Sequence, residues 1–185
     1  MPEWDELDLT PGAREILEWN GGPGEMPLVC RRSVPAEIAV KLRSAVAERL
    51  FPQAHSPAGA LAGLWLAWSG YEEAHGIAQE LHTAEGSYWH GIVHRQEPDD
   101  WNSGYWFRRV GRHPIFPALA QGAADLAGSY PRAAALPARD WDPEQLIRYC
   151  AQARNAPGGE TERYAVAVQQ LEWKLLFAWC ARVRR

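Results

Sequence analysis

The run from Glu85 to Arg109 holds three tryptophans, two histidines, four acidic residues and three arginines. Pro98 near its middle removes a backbone donor and forbids one continuous helix. The segment must therefore fold as two helices, about Gly86 to Gln96 and then, capped by Asp99 or Asp100, on to about Val110. Aromatic side chains favour burial, whereas ionisable groups lose solvation when they follow. Two arrangements offset that cost: a binding or catalytic site, or a helix–helix contact rich in satisfied hydrogen bonds.

The rest of the chain carries the same helical punctuation. Thr10-Pro11 is a cap with proline at the first helical position, and Asn20-Gly-Gly-Pro-Gly24 stops that helix. Beyond an extended piece through Cys30, Pro35 opens a helix expected to reach Phe51-Pro52, with Ile38, Leu42, Ala45/Val46 and Arg49 on one face. Ala58 to Ser69 is apolar almost all round, the mark of an enclosed helix. Tyr71 to His82 reads as its antiparallel return. Further helices are expected near Phe116–Ala127, from the Asp142-Pro143 cap to about Asn155, and over Glu160–Val183. The expectation is an all-α, single-domain bundle or array of about seven to nine helices. Residues 1–32 form a partly irregular N-terminal segment, and residues 58–112 form the hairpin core.

Composition narrows the function classes. A formal net charge of −4 gives no reason to expect nucleic acid, and the basic cluster Arg182-Val-Arg-Arg185 is too short to change that. No stretch approaches the ~20 apolar residues of a membrane span. The acidic start Met1-Pro-Glu-Trp-Asp-Glu lacks the apolar run of a secretory signal. Cys30, Cys150 and Cys180 are too scattered for a disulfide framework or a thiolate metal site. A cytoplasmic protein with a protein or small-molecule partner is the expectation.

Gly70-Tyr71-x-x-Ala74 lines up with Asp100-Trp101-x-x-Gly104, an offset of about 30 residues. This turn–aromatic–small pattern resembles tetratricopeptide (TPR) helical hairpins over about residues 59–110. The resemblance implies close packing of paired helices, although two copies fall short of a solenoid.

Histidines dominate the chemistry. His90, His94 and Glu97 are spaced to share one face of a helix, and His75 and His82 share a face of the preceding one. With the connection drawn through Thr83–Ser87, His82 falls beside His90 and His75 beside Glu97. Three imidazoles and a carboxylate then converge, the ligand type that suits zinc, iron or nickel. His90, His94 and Glu97 are equally candidates for acid–base catalysis. The competing reading is a set of neutral core histidines with ion pairs bridging the helices. Two metal motifs are incomplete: the His-x-x-x-His spacing lacks the glutamate of zinc proteases, and Glu72-x-x-His75 lacks the second copy a di-iron carboxylate site needs.

A second group contains Trp89, Asn102, Tyr105, Trp106 and Arg109 as candidate ligand-binding residues, with Trp65 and Trp101 shaping the same groove. Arg109 can clamp a carboxylate or phosphate beside tryptophan, but pairing with Glu97, Asp99 or Asp100 is the preferred reading. Gly21-Gly-Pro-Gly24 lacks the lysine of a phosphate-binding loop, and Trp68-Ser69-Gly70 lacks the frame of a nucleophile elbow.

The block from Tyr88 to Pro114, in which His-x-x-x-His-Arg-x-Glu-x-Asp precedes Asn-x-x-Tyr-Trp-Phe-Arg, resembles the signature of a family of uncharacterised proteins. The likeness spans about residues 63–116 and implies a recurring unit, with no activity attached. Two functions follow from the residues. One is a binding module with a His/Glu/Arg/Trp-lined groove. The other is an enzyme that uses His75, His82, His90, His94 and Glu97 for metal binding or acid–base catalysis.

Overall fold

The structure, a computed structural model, describes residues 7–184. The acidic Met1–Glu6 start and Arg185 of the basic cluster lie outside the described residues. The described residues form ten α-helices: α1 Pro11–Glu18, α2 Ala36–Arg43, α3 Ala47–Leu50, α4 Pro57–Ala67, α5 Tyr71–Glu80, α6 Ala84–Gln96, α7 Asp100–Val110, α8 Phe116–Ala127, α9 Pro143–Arg154 and α10 Glu160–Ala181. Their one β-pairing is an isolated antiparallel bridge between Ala54 and Val183. The fold is all-α.

Side chains cap the helices as the sequence suggests. Thr10 accepts from the Ala13 amide, Asp99 from Asn102 and Asp142 from Glu144, each satisfying a first-turn donor that the helix leaves open. One expected helix divides. Between Pro35 and Phe51, Ser44 turns its hydroxyl back to the Lys41 carbonyl at 2.9 Å, and the β-branched Val46 is extended. Backbone-directed serine competes with helix continuation, so α2 and α3 are separate, and Val46 faces solvent instead of the core.

The enclosed helix is α4, buried without interruption from Gly59 to Ala67. It packs against α5, α6 and α10. The long α10 joins two apolar clusters: its Trp173–Ala181 half lies with α4 to α7, and its Tyr164–Leu171 half with α8 and α9. Buried polar groups tie the layers together. Arg95 of α6 pairs with Glu172 of α10, both fully buried, while Tyr88 donates to Glu172 at 3.2 Å and Gln169 accepts from Arg95. Gln96 and Gln169 also donate to backbone carbonyls of the irregular segment Met26–Pro27, fixing it across α6 and α10.

Close packing of α5, α6 and α7 positions the histidines. A Cβ on Gly91 of α6 would stand 2.8 Å from the Phe107 ring of α7, so the two helices approach closely where Gly91 carries no side chain. Ser103 of α7 donates to the Gly91 carbonyl at 2.8 Å. Tyr71 of α5 donates to the Val93 carbonyl of α6. Three helices are thereby held in fixed register.

Candidate histidine centre

His75 on α5 and His90 and His94 on α6 converge. One ring nitrogen from each lies within 4.8 Å of the others. The Nε2 atoms of His75 and His90 are 2.8 Å apart, a hydrogen bond in which one imidazole donates and the other accepts. His90 and His94 stack at 4.9 Å and 15°. His75 meets both rings edge-on.

Supporting groups fix the rings. Trp106 of α7 lies on His90 with centroids 3.9 Å apart and planes within 13°, so it blocks rotation of that imidazole. Glu97, at the C-cap of α6, bonds His94 Nδ1 at 2.8 Å. A carboxylate on Nδ1 selects the tautomer that presents Nε2 as a lone pair. Burial, and then the neighbouring His75 and His94, push His90 down to about 4, so that imidazole is neutral at pH 7. His90 Nδ1 is buried without a hydrogen-bond partner among the described residues. Burial and the nearby Glu97 carboxylate push the Tyr71 phenol well above its ordinary range.

The expected cluster forms in a different register. His75, in place of His82, sits beside His90, and Glu97 bonds His94. The α5–α6 connection is only Leu81–Thr83, because Thr83 caps α6 by accepting from the Gly86 amide at 3.2 Å. That brings the turn forward, sets His75 opposite His90 and leaves His82 exposed in the connection. Glu97 joins the centre through His94.

The second predicted group divides. Trp89 and Trp65, expected in a groove, are core residues; Trp89 fills the space that a side chain on Gly63 of α4 would need. Asn102 serves the Asp99 cap through its amide and side chain. Trp106 belongs to the histidine centre. Tyr105 stacks on the exposed Trp101, and Arg109 lies over the Tyr105 and Trp106 rings at 5.8 and 5.4 Å. Among the described residues the ion pair preferred for Arg109 does not form: Nη2 of Arg154 on α9 donates to both Asp100 carboxylate oxygens, at 2.7 and 2.9 Å.

Two features escaped the sequence reading. One is the buried Arg95–Glu172 pair, whose partners are 77 residues apart. The other is a second polar knot. Glu85 accepts from Trp179 at 3.0 Å and meets His55 at 2.9 Å. Burial alone would raise the Glu85 carboxyl, but hydrogen bonds from Trp179, its own amide, His55 and Thr83 outweigh that and hold it at about 2. Glu85 at the first turn of α6 was the available signal, since that position favours an anion.

No family model, curated protein or solved structure matches the chain. No described helix is long and apolar enough to cross a membrane.

Proposed function

We infer that the protein binds a divalent transition metal, zinc foremost, through His75, His90 and His94. The observation that carries this reading is the convergence of three imidazole nitrogens within 4.8 Å. Two tetrahedral ligands at 2.0–2.1 Å from zinc stand about 3.3 Å apart. The His75–His90 pair at 2.8 Å needs only a small opening to admit the ion. Glu97 supplies the carboxylate that metal-bound histidines commonly bond through their second nitrogen. Three protein ligands leave a fourth position for water or a substrate oxygen, and zinc lowers the pKa of bound water to about 7. The free thiols Cys30, Cys150 and Cys180 support a reducing compartment such as the cytoplasm.

A second reading, metal-free recognition of a protein or small ligand by the α7 face, has its own support in Trp101, which is 74% exposed. Calorimetric titration of zinc into chelator-treated protein without a histidine tag separates the two. Tight binding of one equivalent that disappears in His90→Ala and His94→Ala variants supports the metal site. Unchanged zinc binding in both variants, or none in the parent, removes it.

A further inference from the structure

Beside the histidine centre, on the other edge of Trp106, a cavity of about 440 Å³ lies between the α5–α6 connection and α7. Gln79, His82, Thr83, Ser87, Trp106 and Arg109 line it. The first turn of α6 opens into this cavity. Helix N-termini carry unpaired amides and a partial positive charge that attract anions. The Ala84 amide has no partner among the described residues.

A helix terminus alone does not make a site, but two side chains here lack partners. Ser87 is only 7% exposed, and its hydroxyl makes no hydrogen bond among the described residues although it faces the cavity. Arg109 makes no ion pair or hydrogen bond among them, and its guanidinium is held over Trp106 and Tyr105 instead. Glu85, the acid in the same first turn, is engaged by His55 and Trp179 and does not line the cavity. The Ser87 hydroxyl, on a residue otherwise enclosed, is thus left to serve a group in the cavity, and an arginine held on aromatic rings keeps its planar fork free for an oxyanion.

We propose that this cavity binds the phosphoryl group of a small phosphorylated molecule, with Arg109, Ser87 and the first turn of α6 as its donors. A planar carboxylate engages the guanidinium fork but leaves the hydroxyl and the helix amide unserved. A phosphoryl group has three terminal oxygens and serves all three. The site uses none of the three clustered imidazoles, so it stands whether or not they hold a metal.

The test is calorimetric titration of inorganic phosphate, and separately acetate, into the full chain in the presence of a chelator, which removes phosphate binding by any metal. Phosphate binds, and acetate binds more weakly. Arg109→Gln weakens phosphate about tenfold or more, since a hydrogen bond to a charged group is lost. Ser87→Ala weakens it about threefold to tenfold. Arg109 is exposed, so its replacement leaves the helical circular dichroism unchanged. No phosphate binding in the parent, undiminished binding in Arg109→Gln, or acetate bound as tightly as phosphate would each overturn the proposal.

Discussion

His75 and His90 bring their Nε2 atoms to 2.8 Å across the α5–α6 hairpin, and the short connection between the helices sets that meeting. Gly86 makes the connection possible: a Cβ there would stand 1.9 Å from the Leu81 carbonyl oxygen. Gly86→Ala therefore has to displace backbone, costing about 1–3 kcal/mol in urea denaturation and weakening zinc binding as the register slips. Gly76, exposed within α5 with nothing near its would-be Cβ, gives the opposite sign. Gly76→Ala stabilises by about 0.5–1 kcal/mol through helix propensity, and equal behaviour of the two variants would contradict this account of the turn.

Glu97 bonds His94 Nδ1 from the solvent side. Glu97→Gln keeps the shape and removes the charge, and such outer partners of a metal ligand are typically worth about 10- to 100-fold in affinity. Zinc calorimetry should register that loss with urea stability nearly unchanged. An unaltered affinity would show that the carboxylate takes no part in metal binding.

Arg95 and Glu172 are fully buried. Removing one member strands the other charge, so Glu172→Ala should cost about 3–5 kcal/mol. The double variant Arg95→Met with Glu172→Leu should recover part of that, because two apolar side chains leave no orphaned charge, only the Tyr88 hydroxyl and the Gln169 carbonyl oxygen short of a partner. Urea midpoints check both. A double variant as unstable as the single one would contradict the argument.

His113 is enclosed by the rings of Tyr88, Phe116 and Trp179, and burial pushes it down to about 4. In the unfolded chain it titrates near 6.5. Between those values the unfolded state binds more protons, so the stability tied to neutral His113 is complete above pH 6.5 and falls as the pH drops toward 4. His113→Phe keeps the ring contacts and should flatten that part of the decline, measured as the difference in urea midpoint between about pH 7 and about pH 5. A parent and variant that decline in parallel would rule out His113 as the source.

Local signals carried the fold. Caps at Thr10, Asp99 and Asp142 and the enclosed Pro57–Ala67 segment are visible because helix starts and all-round apolarity are written in consecutive residues. Nine helices can be traced that way, and the tenth arises where Ser44 and Val46 break a run whose apolar spacing continues. The histidine centre was legible in membership for His75, His90 and His94, since three- and four-residue spacings fix helix faces. Its register was not, because the facing pairs depend on where the turn falls. Thr83 as the cap of α6 is the residue that would have placed it. The Arg95–Glu172 pair joins helices far apart in sequence, and no local pattern marks such a partnership. Arg109 lost its expected partners because Arg154, 54 residues from Asp100, takes that carboxylate, while Glu97 and Asp99 serve His94 and the α7 cap.

The most direct test of the metal reading is anomalous diffraction at the zinc edge from crystals of the untagged protein grown with one equivalent of zinc. A single peak is expected about 2.0–2.1 Å from one ring nitrogen each of His75, His90 and His94, with Glu97 still bonded to His94 Nδ1. Density that shows the three rings joined only to one another, with any zinc peak elsewhere on the molecule, would contradict it.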